Sequence, residues 1–198
     1  MIGSLLAILL LILNFGISIW NAYSSGYNIT LLRKANAHGF TKAAAYSGLG
    51  LAFVGMTYVL VIVLAFIAYS AGYVSADTVN YALGFDFLVF GLMIIGFGIM
   101  VTIQSIMIAI HRKSIWSILG AVWNVFAIAF DIYTYATSFE EATQLMQGNR
   151  EGRGNALVLV IIALLIAFFI VRTAYGLGAK KAEGISTVTP QPKYPSAN

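Results

Sequence analysis

The chain has 198 residues, of which 60% are hydrophobic and only 9% charged, with a mean hydropathy of +0.88. Soluble domains carry about 25% charged residues, so the composition excludes an ordinary water-soluble fold and points to an integral membrane protein. The net charge of +4 is then a matter of topology rather than of nucleic-acid binding, and the lack of cysteine excludes disulfides, thiolate metal sites and cysteine nucleophiles.

Residues 2–23 form the first apolar stretch. No basic segment precedes it, so it reads as a retained helix rather than a leader. A short basic connection, 33–42, leads to a second span at 43–69. Residues 70–80 are a polar turn carrying Asp77 among glycine and serine breaks. The third span, 81–110, ends in His111, Arg112 and Lys113. The fourth occupies 115–137. Residues 138–155 are the longest expected polar connection, with Glu140, Glu141, Arg150, Glu151 and Arg153. The fifth span, 156–171, is almost purely aliphatic and is followed by Arg172. From 180 to 198 the chain loses its periodicity and holds all 3 prolines, so a disordered tail is expected there.

The predicted fold is therefore all-α: a polytopic membrane bundle of five transmembrane helices over 1–179. Alternate connections share a side. One side collects Arg33, Lys34, Lys42, Arg112, Lys113, Arg172, Lys180, Lys181 and Lys193; the other has Arg150 and Arg153 among Asp77, Glu140, Glu141 and Glu151. The positive-inside rule then sets the N-terminus outside and the C-terminus in the cytoplasm of a cell membrane. A four-span bundle, with the first segment removed or lying at the surface, is the alternative.

The fourth span looks like the organising element. Seven residues are nearly two helical turns, so Ser117, Asn124, Asp131 and Ser138 share one face. Polar groups are costly in hydrocarbon, and this face is expected to turn inward. The sequence WNVFAIAFD at 123–131 echoes WNAYSSGYN at 20–28, in a helix of opposite predicted direction, as in inverted-repeat proteins. Chance between two aromatic-rich helices explains so short a match equally simply.

Small residues mark packing faces. The third span carries Gly84, Gly91 and Gly98 at seven-residue spacing, and the second carries Ala44, Gly48, Ala52 and Gly55. These two spans are expected to be close neighbours. Met93, Met100 and Met107 read as gap-filling core residues. The fifth span lacks polar residues and is expected to face lipid or a partner.

A polar column is also expected down the bundle. At about 1.5 Å per residue, Asp86 and Asp131 fall in the outer third, Asn14, Thr57 and Asn124 near the midplane, and Asn21 and Gln104 in the inner half. Three readings of this column compete: interhelical hydrogen bonding that fixes which helices pair, a path for protons, cations or a small solute lined by all seven residues, and catalysis. The two carboxylates suit a cation or a shared proton. The sequence offers little for catalysis or cofactors. His38 and His111 have no ligand partners at metal spacing, no glycine motif cradles a nucleotide, and no intramembrane histidine awaits haem. The primary functional expectation is a non-catalytic accessory subunit of a membrane complex or homo-oligomer, with lipid, other subunits or a second copy as partners. The alternative is a small ion, proton or solute transporter or channel using Asp86 and Asp131.

Overall fold

The computed structural model describes residues 2–35 and 39–184. Their elements are α1 (Ile2–Lys34), α2 (Gly39–Ser70), α3 (Ala76–Phe85), α4 (Gly91–Arg112), α5 (Ile115–Gly148) and α6 (Arg153–Glu183). A π turn, Asp86–Phe90, joins α3 to α4 in one continuous rod, and a 3-10 turn, Arg150–Gly152, precedes α6. The result is five rods long and apolar enough to cross a membrane. Helix is what hydrocarbon demands of an isolated segment, because it satisfies every interior N–H and C=O within the segment.

The helices overrun the predicted spans. α1 continues to Lys34 and α5 to Gly148, and α2 already begins at Gly39, so most of the described residues of the expected connections at 33–42 and 138–155 are helical. The prediction stopped each helix where apolar residues stop. Glu140, Glu141 and Gln144 are nonetheless good helix formers, and no glycine or proline interrupts α5 between Gly120 and Gly148. α6 likewise continues through Lys180 and Lys181, so the segment expected to be a tail begins in helix. His38, Lys193 and the rest of that tail from 185 lie outside the described residues.

The turns have local causes. Gly72 adopts φ +75 between α2 and α3, a left-handed conformation that glycine takes without penalty. Ser75 then caps α3, its hydroxyl accepting from the Thr78 N–H at 3.3 Å, and Asp77 in the first turn complements the helix dipole. At the other end, Lys113 turns left-handed and its N–H donates to the Ala109 carbonyl at 3.0 Å. Ser114 caps α5 through the Ser117 N–H at 3.3 Å.

The hub of the bundle is α2, not α5. It packs against α1, α3, α4 and α6, whereas α5 packs on α3 and α4. α5 fully buries only Ala121 and Ala142 and leaves Trp116, Trp123, Phe126, Phe130 and Tyr133 exposed. The fifth span, expected to face lipid or a partner, has two faces: Val158, Ile161, Leu165, Phe168 and Phe169 are exposed, while the other side is packed. α6 buries Ala163, Ala167, Val171, Ala174, Gly178 and Ala182 along α1 and α2. Lack of polar groups had suggested a lipid face, but small side chains are themselves the packing surface in hydrocarbon.

α1 and α6 run parallel and approach closely. A Cβ placed on Gly26 would collide with the Tyr175 backbone, and one on Gly178 with the Tyr23 backbone. Lys34 Nζ donates to the Ala182 and Glu183 carbonyls, both at 3.0 Å, closing the last turn of α6. Antiparallel to α1, α2 presents Gly48 and Gly55 to the hydroxyls of Ser25 and Ser18, with Ala44 and Ala52 fully buried beside them. The Gly84, Gly91, Gly98 stripe does not face α2. It receives Ala142, Tyr135 and Ile128 of α5, a matching seven-residue series. α2 neighbours α3 and α4 through other residues, among them Gly50 beneath the Phe97 ring.

The polar face expected on α5 is turned inward: Ser117, Asn124, Asp131 and Ser138 are each half-buried while most of their neighbours are exposed. The Asn124 carbonyl accepts from Thr102 Oγ1 of α4 at 3.3 Å. The echo between α1 and α5 extends to ring geometry, with Trp20 and Tyr23 at 5.9 Å and Trp123 and Phe126 at 6.3 Å. It goes no further, since α1 joins α2 and α6 whereas α5 joins α3 and α4.

Candidate functional site

The α3–α4 rod departs from α-helix at one place, Asp86–Phe90. A π turn inserts an extra residue, widens the helix and disturbs its carbonyl ladder, and such turns recur at functional sites. Here the Leu88 carbonyl accepts from the Tyr135 hydroxyl of α5 at 2.9 Å. The Tyr135 ring stacks on Phe87 at 5.3 Å and 11°. The widened turn is thus pinned to α5 by one hydroxyl and one ring.

Asp86 opens this turn. It is 1% exposed, and neither carboxylate oxygen has a hydrogen-bond partner among the described residues. A charged carboxylate in such a place loses its hydration without compensation, at a cost of several kcal/mol. A proton or a bound cation would remove that cost. Natural folds retain so unfavourable a group chiefly where it has work to do.

Two cavities meet at the turn. One, of about 240 Å³, is lined by Asp86, Tyr58, Phe87, Ser138 and Glu141 with Ile62, Leu83, Ala142 and Leu145. The other, of about 260 Å³, is lined by Asp131, Asn14, Tyr58, Phe87, Thr134 and Tyr135, with Gly55, Val59, Gly91, Ile94 and Phe130 completing its wall. Tyr58 and Phe87 are common to both, so the two carboxylates sit on opposite sides of one thin partition. Each volume has room for several waters at about 30 Å³ apiece.

The predicted polar residues divide accordingly. Asp86, Asp131 and Asn14 line the paired cavities. Asn14 also donates to the Leu10 carbonyl of its own helix at 3.0 Å. Thr57 is fully buried but spends its hydroxyl on the Phe53 carbonyl at 2.9 Å. Asn21, Asn124 and Gln104 are half-buried and line neither cavity. The paired cavities therefore gather Asp86, Asp131 and Asn14 from the expected column and leave Thr57, Asn21, Asn124 and Gln104 outside them.

Two participants, Glu141 and Tyr58, were not singled out from the sequence, whereas Ser138 belongs to the polar face read there. Glu141 and Ser138 lie one turn apart on α5, and both had been placed at or beyond its end, in the expected connection. Extending the Asp131, Ser138 face by three more residues reaches Glu141, which is the signal that was available. Tyr58 is the one hydroxyl-tipped ring inside a long aliphatic run of α2. Every polar group in the two cavities is an oxygen or an amide. No cluster of three or more His, Cys, Asp or Glu able to hold a metal exists among the described residues. The donor set suits protons, or a weakly held hard cation, and offers no nucleophile paired with a base.

Comparison of the chain with protein-family models, with curated proteins and with solved structures finds no match in any of the three.

Proposed function

We propose that this chain is a multi-pass membrane protein that moves protons or a small cation, using the carboxylates of Asp86 and Asp131. One observation carries the reading: Asp86 is buried without a partner in a π turn that opens onto a cavity. A residue kept only for packing would be satisfied or apolar. The bundle is oriented with its basic connections in the cytoplasm, following the positive-inside rule. Flux into proteoliposomes tests the function. The wild-type chain should carry protons or a monovalent cation down an imposed gradient, and Asp86→Asn and Asp131→Asn should each abolish it. Flux undiminished in both variants refutes the proposal.

A second reading, an accessory subunit, has one observation in its favour. The outer face of α5 is broad and aromatic, and a neighbouring membrane helix could lie against it. Under that reading both Asn variants assemble normally with fixed partners that co-purify in mild detergent, and no flux is seen.

A further inference from the structure

We propose that the Tyr58 hydroxyl relays protons between Asp86 and Asp131, so that the species carried is the proton. This rests on the carboxylate reading above and narrows it. Tyr58 is half-buried, makes no hydrogen bond among the described residues, and lines both cavities. It lies within electrostatic reach of both carboxylates. The other shared wall, Phe87, is held in its stack with Tyr135 and has no exchangeable proton. Tyr135 faces the Asp131 cavity too, but its hydroxyl is committed to Leu88. Among groups at the partition, only Tyr58 has a proton and a lone pair free to exchange.

The chemistry balances with no other reactant. Protonated Asp86 passes its proton through a bridging water to the Tyr58 oxygen while the original Tyr58 proton passes through a second water to the Asp131 carboxylate. Asp86 ends ionised, Asp131 neutral and Tyr58 unchanged. Glu141, on the Asp86 side, is placed to reload Asp86 from the aqueous end. A hydrated cation has no comparable route, because it would have to displace the partition and find several oxygen ligands on each side. A proton needs one acceptor at a time and no opening.

The full-length chain in phosphatidylcholine–phosphatidylglycerol vesicles, with a pH-sensitive dye inside and a valinomycin-set potassium gradient, measures this. Wild type should acidify the lumen, and Tyr58→Phe should slow it at least tenfold at unchanged thermal stability. Tyr58→His, whose ring both donates and accepts, should recover a substantial part of the rate. Phe at the wild-type rate, or Phe and His equal to one another, overturns the relay. Asp86→Asn separates the two levels. If Asp86→Asn still conducts, the carboxylate reading falls and the relay with it. If Asp86→Asn is dead while Tyr58→Phe conducts, the relay alone falls.

Discussion

Gly178 and Gly176 lie two residues apart on α6, yet a methyl group should act oppositely at each. A Cβ on Gly178 would collide with the Tyr23 carbonyl and lie 2.9 Å from its carbon and 3.0 Å from the Tyr27 nitrogen. All three are backbone atoms of α1, which no side-chain rotation can move aside. Restoring ordinary contact requires the two helices to part by about 1 Å or more along a seam that buries Ala22, Ala174 and Ala182. Overpacking of this kind costs about 1–3 kcal/mol, and unyielding backbone puts Gly178→Ala at the upper end. The better helix propensity of alanine returns up to about 1 kcal/mol, leaving a net loss near 2 kcal/mol. For a chain of this size that is a Tm drop of roughly 4–8 °C. At Gly176 nothing lies within 4 Å of the added carbon, so Gly176→Ala keeps only the propensity gain of up to about 1 kcal/mol. Thermal unfolding of both variants in the same detergent decides the matter. Gly178→Ala matching the wild type, or Gly176→Ala proving the more damaging, would refute the close α1–α6 seam.

Asp86→Leu should raise stability by about 1–3 kcal/mol, since it removes an unsatisfied buried polar group, while abolishing flux. A drop in Tm would mean that Asp86 has a stabilising partner in the membrane. Tyr135→Phe keeps the ring stack but removes the bond to Leu88, and should cost about 1 kcal/mol; a Tm equal to wild type would show that the π turn is not pinned there. Ser114→Ala removes the α5 cap and should cost about 1 kcal/mol, read as a lowered Tm with no change in helix content by circular dichroism.

Hydropathy alone was enough to find the five rods, because hydrocarbon leaves a chain few choices. Their ends were less legible. Amphipathic residues such as Glu140 and Gln144 continue a helix beyond the apolar run, and nothing in composition marks where the run and the helix part company. Which helix is central was misread for a related reason. The polar residues inside the apolar run of α5 are the conspicuous signal in the sequence, whereas centrality came from alanines, serines and glycines on α1, α2 and α6 that carry little signal one at a time. A shared depth for Asp86 and Asp131 was legible from spacing along the chain. The placement of Tyr58 and Glu141 beside the cavities was not, because it depends on the register between α2, the π turn and α5. A single sequence fixes spacing within a helix, not rotation between helices.

α4 and α5 are joined by Lys113 and Ser114 alone. So short a strap forbids one helix from sliding past the other by a turn, about 5.4 Å, and leaves tilting about the strap as the available freedom. Tyr135 and Asp131 lie far up the lever, Tyr135 roughly 30 Å from Ser114 at the usual rise per residue. A tilt of only about five degrees would swing that region by roughly 3 Å, close to the width of a water molecule, while the base stayed put.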